Sequence, residues 1–355
     1  DMSFKTQEII DLGKKYRVSA FLQPGDFWDS PNPPLDYASE VMKRWTNVDL
    51  FNALGKLASG SEDEIKKIAD SFRKDYIPII GVVGNHELFG NNIKTLPKTM
   101  AGFINKLGLM QFATKENPVF FTTEDGLKIA ITGTHYHLDI DSPKHIDDYI
   151  VEEKLGDYHI HIVHGMLSDK DMGEYIRHTL IDNIMHTKAD ITITGHDHIG
   201  FPITEVDGKY FVNPGAIPRI SNDLKEINRQ PKVLLIDITK KDGIKLTEIP
   251  LKSAKKGELV LDRKKITEKK AKETKLEEFK KAVRKAGIKK STDITEIVRD
   301  IADNQNLPQE VKDSVIKRLS EKIASINPNG ATPVDNSVFV EKIILENFQS
   351  HEYTE

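Results

Sequence analysis

The sequence predicts a layered α/β domain followed by a helical C-terminal region. Three observations carry this prediction. Short apolar β-rich runs such as Tyr76–Val83 and Tyr158–Met166 alternate with segments of helical periodicity as far as about residue 251. Beyond that point the composition shifts to densely charged, helix-forming sequence. Several β-runs also empty into loops that pair glycine with Asp, Asn or His, as functional strand ends do in α/β folds.

Taken in order, Ser3–Lys15 spaces Phe4, Ile9, Ile10 and Leu12 as a helix would. Arg17–Gln23 reads as a short strand running into Gly25-Asp26. Asp36–Leu57 reads as a helix, and Ser61–Arg73 as a second one opened by Ser61 with Glu64 three residues on. Tyr76–Val83 is a buried strand that empties into "GNHE", followed by a helix around Leu96–Leu107. "PVFFTTEDGLKIAITGTH" is a hairpin turned at Asp125-Gly126. Tyr158–Met166 is a strand ending at His164, and "ADITITGHDHIG" is another, ending in two histidines around an aspartate. Ile203–Asn213 is a hairpin turned at Asp207-Gly208, and "KVLLIDI" with "GIKLTEIPL" closes the β part. Helical patterns follow over Asp262–Lys290, Asp293–Asp303 and Gln309–Ile326, then a Gly/Pro/Asn linker over Asn327–Ser337 and a strand-like ending.

Composition sets limits on the chemistry. The 355 residues allow more than one domain, and no run of 18 apolar residues suggests a membrane span. With no cysteine there are no disulfides, thiolate ligands or thiol nucleophiles, which suits an intracellular protein and leaves any metal to His, Asp, Asn or Glu. The net charge of −4 hides a basic block: residues 251–290 hold 16 Lys/Arg against 6 Asp/Glu. Such a block fits either a polyanion contact or a solvated helix.

The strand-end loops form one constellation: Gly25-Asp26, Gly84-Asn85-His86-Glu87, His164-Gly165 and Gly195-His196-Asp197-His198. If these loops converge, a carboxylate, an amide oxygen and four imidazoles meet at one rim. These ligand types suit Mn2+, Fe2+ or Zn2+. A carboxylate has two oxygens and can bridge two ions, so Asp26 is the natural bridge. Two ions about 3.5–4 Å apart suit phosphoester hydrolysis. His196 and His198, two residues apart in an extended segment, share one side and can address different ions, while Asp197 points away.

The order GD, GNHE, HG, GHDH resembles the calcineurin-like metallophosphoesterase superfamily, over about residues 1–220. The resemblance implies a sandwich of mixed β-sheets flanked by helices and two divalent ions, expected to be Mn2+. It implies that Asp26 bridges the ions, that Asn85, His164 and His196 hold one of them, and that His198 holds the other. His86 would protonate the leaving oxygen or stabilise the transition state. The family's first motif, Asp-x-His, has no counterpart before Gly25-Asp26, and Asp1 stands at a helix start. As the sequence stands, the ion on His198 keeps only Asp26 and His198, so weak occupancy and low activity are expected of this stretch, which reads as a piece of a longer polypeptide.

Within the superfamily, "GDFWDSPNPP" resembles the SbcD type, the nuclease subunit of a DNA double-strand-break repair complex. "VEKIILENFQSHEYTE" resembles the opening strand of SbcC-type ATPases, with Ile343, Leu345, Asn347, Phe348, Ser350 and His351 in place, although the phosphate loop G-x-x-x-x-G-K-[ST] is absent. The implied organisation is a nuclease core over 1–220 and closing strands over 221–262. Charged, ATPase-docking helices over 263–326 and a linker over 327–337 follow, and an ATPase start occupies 338–355. The implied partners are DNA, the SbcC-type ATPase and a second copy of the chain, with no membrane and a cytoplasmic, nucleoid-associated location. His135 and His137 mimic a metal pair but read as substrate-side or structural, with His137 and Arg219 the candidate DNA contacts. A metallophosphatase for small substrates, or a weakly catalytic DNA-tethering scaffold, would share much of this sequence pattern.

Overall fold

The computed structural model describes residues 2–47, 76–173, 175–221 and 223–261. The helices expected over 61–73, 262–290, 293–303 and 309–326, the linker, the ATPase-like strand and most of the basic block lie outside the described residues.

Two sheets pack face to face. The smaller has three parallel strands in the order β1 (Phe21–Pro24), β2 (Ile79–Val82), β3 (Gln111–Phe112). The larger has six strands, of which β4 (Val119–Thr122), β5 (Lys128–Thr134) and β6 (Tyr158–Val163) occupy one edge and the centre. Two short strands, β7 (Leu167–Ser168) and β8 (Thr179–Leu180), pair apart from it. The larger sheet continues through β9 (Ile191–Thr194), β11 (Lys209–Asn213) and β10 (Phe201–Val206). Its centre, β5-β6-β9-β11, is parallel, and β4 and β10 are antiparallel edges.

Period-two alternation explains the layering. On β2, Ile80 and Val82 face Ile129, Ile131, Ile160, Ile162, Ile191, Ile193 and Val212 of the larger sheet. The preceding Ile79 faces outward, joining Trp28, Ala38, Met42, Ala101 and Ile104 under two helices. These are α2 (Leu35–Thr46) and α3 (Met100–Lys106); α1 (Met2–Tyr16) packs its Ile9 against Leu251 and Ala254. The far face of the larger sheet carries Val163 and Phe211 into a third cluster with Tyr149, Ile150 and Ile184. A separate hairpin, β12 (Lys232–Thr239) with β13 (Gly243–Pro250), packs its alternating Leu234, Ile236, Ile238, Ile244 and Leu246 on the central core.

Three expected boundaries shift. The first strand begins at Phe21, four residues later than Arg17. α2 stops at Thr46 because Asn47 adopts a left-handed conformation, φ 59°, and its N–H returns to the Lys43 carbonyl. The helix expected from Leu96 starts at Met100: Ile93–Lys98, with Pro97 inside, is a 3-10 turn, and Thr99 caps the α-helix by accepting from the Gly102 N–H. No described helix is long and apolar enough to cross a membrane.

Candidate metal centre

The loops after β1, β2, β6 and β9 meet where the carboxyl ends of parallel strands in both sheets come together. Asp26 sits at φ 57° and His196 at φ 70°, so both donors are placed by left-handed backbone that non-glycine residues seldom adopt. Two glycines permit the close approach. A Cβ on Gly25 would stand 2.0 Å from His164 Nδ1, and one on Gly84 2.0 Å from Asp26 Oδ1.

Four donor atoms then surround one point. Asp26 Oδ2 is 3.2 Å from His164 Nε2, and Asn85 Oδ1 is 3.1 Å from both His164 Nε2 and His196 Nδ1. The two ring nitrogens are themselves 3.2 Å apart. Ligands held ~2.0–2.1 Å from a tetrahedral ion stand about 3.3 Å from one another, close to these spacings.

The chemistry of the set points the same way. The Pro24 carbonyl can only accept, so His164 Nδ1, 2.7 Å away, donates to it. In neutral His164 that leaves Nε2 with a lone pair, facing a carboxylate oxygen, an amide oxygen and a second ring nitrogen. Only His196 Nδ1 could carry a proton among these four atoms with both rings neutral, whereas a metal ion would satisfy all four at once. Burial and the adjacent His164 ring push His196 down to about 4, which keeps its imidazole neutral and able to ligate. Burial pushes Asp26 up, but the hydrogen bond and charge of His164 in its protonated form, together with the His86 N–H, outweigh it and hold the carboxyl below its usual range.

His198 is not in this group. Burial lowers its pKa while the charge of Asp26 raises it, which places it within electrostatic reach of that carboxylate. His86 lies on the open side, 40% exposed, with Nδ1 3.0 Å from Asp29 Oδ1 and its backbone N–H donating to Asp26 Oδ1 at 3.0 Å.

Several supports had no assigned role in the sequence. Glu87 is fully buried and accepts from the backbone N–H groups of Gly84, Asp26 and Trp28, at 2.8, 3.2 and 3.3 Å. It ties the first two loops together; burial pushes its carboxyl up to about 7 against the pull of these amides. Asp141, also buried, accepts from Tyr149, Thr179 and the Met166 N–H and fixes the loop after His164. Asn213 donates to the Asp197 carbonyl and holds the GHDH turn, where Asp197 accepts from the Ile199 N–H. The Tyr136 ring lies 5.6 Å from that of His196 and 6.0 Å from that of His164.

The expected DNA contacts are placed differently. Arg219 donates to three main-chain carbonyls, of Glu226, Lys255 and Arg229, so its guanidinium clamps the fold rather than standing free for a phosphate. His137 is turned onto Asp148, with Nε2 2.7 Å from Oδ2, and His135 accepts from the Val83 N–H through Nδ1.

No family model matches the chain, and no curated protein matches it. Among solved structures it is similar to TT1561 of Thermus thermophilus, at 11% identity over 69% of this chain and 92% of that one, TM-score 0.35. It is also similar to wild-type Vps29 from Entamoeba histolytica, complexed with Zn2+, at 13% identity over 54% of this chain and 89% of that one, TM-score 0.20.

Proposed function

We propose that the chain is a metal-dependent phosphodiesterase that acts on the DNA backbone, as the SbcD-type sequence features imply. In this reading it works beside an SbcC-type ATPase and as a homodimer, with Mn2+ as its metal. The observation that carries the hydrolytic reading is the crowd of ligand atoms: Asp26 Oδ2, Asn85 Oδ1 and His196 Nδ1 each stand 3.1–3.2 Å from His164 Nε2, and the backbone N–H of His86 donates to Asp26 beside them. Asp26, Asn85, His164 and His196 would hold a divalent ion there, and its chemistry would be to activate water at neutral pH and offset charge on a phosphate.

The protein's own groups do the rest. The Pro24 carbonyl fixes the His164 ring so that Nε2 faces inward. Asp26 accepts the His86 N–H and so sets the height of the GNHE loop against the bridging carboxylate. Asp29 holds His86 through Nδ1, which leaves Nε2 as the ring atom able to deliver a proton to a departing sugar oxygen.

The test compares hydrolysis of duplex DNA ends with that of a small chromogenic diester, using the chain loaded with Mn2+. Metal-dependent release of nucleotides, exceeding turnover of the small diester, is expected. Turnover of the small diester alone would replace DNA with a compact substrate, and inertness toward both would remove the hydrolytic reading.

A further inference from the structure

We propose that His137, His145 and Asp148 form a second cation site, separate from the first, for a borderline divalent ion such as Zn2+. The three side chains offer ligand atoms within 4.8 Å of one another, and none belongs to the Asp26 group. His137 Nε2 lies 2.7 Å and His145 Nδ1 3.7 Å from the same oxygen, Asp148 Oδ2, and the two rings are 4.9 Å apart. These distances bracket the ~3.3 Å between ligands of a tetrahedral ion with ~2.0–2.1 Å bonds. Two imidazoles and a carboxylate are a known zinc set, and with only three protein ligands one position stays open to water or a substrate oxygen.

The frame is fixed before any ion arrives. His145 precedes the 3-10 turn Ile146–Tyr149 and Asp148 lies within it, with the Asp148 N–H returning to the His145 carbonyl at 3.0 Å. The Asp148 carbonyl accepts from Thr134 Oγ1 and from His161 Nε2, both at 2.8 Å, which pins the carboxylate to β5 and β6. His137 follows Tyr136, whose N–H donates to the Val83 carbonyl at 2.8 Å. All three ligands therefore hang from backbone that is already anchored, and only the side chains need adjust by fractions of an ångström.

Half-exposure suits exchange with solvent: the side chains are 30%, 43% and 19% exposed for His137, His145 and Asp148. An ion here would also lock the segment carrying Tyr136, whose ring lies against His196 of the first site.

The test uses the full chain, stripped with a chelator and dialysed against Zn2+, with bound zinc counted by elemental analysis. His145→Ala and Asp148→Asn are each expected to hold about one zinc fewer per chain than the unmodified protein, while retaining the zinc that His164→Ala removes. In the unmodified chain, Zn2+ is also expected to protect His137 and His145 from diethyl pyrocarbonate, read by peptide mass, which requires no variant to fold. Unchanged zinc content with unprotected histidines would overturn the proposal and leave a hydrogen-bonded His–Asp pair. It would leave the reading of the Asp26 site untouched.

Discussion

Asp26 and His86 face each other across a single hydrogen bond, yet the proposed function gives them different tasks, and substitution should separate them. His86→Ala leaves the four clustered donors in place, so turnover should fall about 10²–10⁴-fold while bound manganese is unchanged. Parallel kinetics and metal analysis check this, and loss of metal in step with activity would assign His86 to the ligand set. At this scale the sequence disclosed the chemistry but not its supports. Glycine beside Asp, Asn or His at strand ends made Asp26, Asn85, His164 and His196 stand out. Glu87 lay in the same tetrapeptide, but its partners are main-chain amides of Asp26, Trp28 and Gly84, most of them about sixty residues away. Bonds to backbone leave no residue pattern to read. Arg219 shows the same limit: its three carbonyl partners are invisible in sequence.

Between β5 and β6 runs a buried polar chain that ties the central strands together. His161 Nε2 donates to the Asp148 carbonyl, so its Nδ1 accepts from Thr132; the Thr132 oxygen accepts from His159 Nε2, and His159 Nδ1 accepts from the Leu155 N–H. Every donor finds an acceptor only while both rings are neutral. Burial pushes His161 down to about 3 and His159 to about 4, against about 6.5 in an unfolded chain. Between these values the unfolded state binds more protons. Stability is thus complete above about pH 6.5 and drains away as pH falls toward 4 and 3, by a total of a few kcal/mol. Urea unfolding at pH 7.5 and pH 5 should show this loss, and His161→Gln should shrink the difference; equal pH dependence in both proteins would refute it. Elements as such were legible. Asp125-Gly126 and Asp207-Gly208 marked both hairpins, and isoleucine runs marked the central strands. Boundaries were less so, because Asn47 and Thr99 act through φ and cap bonds that hydrophobic periodicity does not register.

For the whole molecule, the convergence of loops was anticipated from the residues, and the sandwich of two sheets from the family resemblance. β1 and β2 belong to a different sheet from β6 and β9, and the donors gather where the two layers meet. Sheet membership depends on how alternate faces pair across space, which β2 settles by turning Ile80 inward and Ile79 outward. Because the donor set bridges both layers, an ion there should brace the sandwich. At 100 times its Kd, a ligand confined to the folded state adds about 2.7 kcal/mol. Manganese should therefore raise the melting temperature and a chelator reverse the rise, by calorimetry; indifference to both would mean that the layers do not depend on the ion. The left-handed backbone at Asp26 and His196 has a final implication. A side chain in that conformation costs roughly 1–2 kcal/mol, a penalty that glycine escapes and asparagine softens. A metal-free His196→Asn protein should consequently melt higher than its parent. If the proposed metal site is right, ligation and robustness pull in opposite directions at these two positions, and a descendant released from holding the ion would harden by surrendering them first.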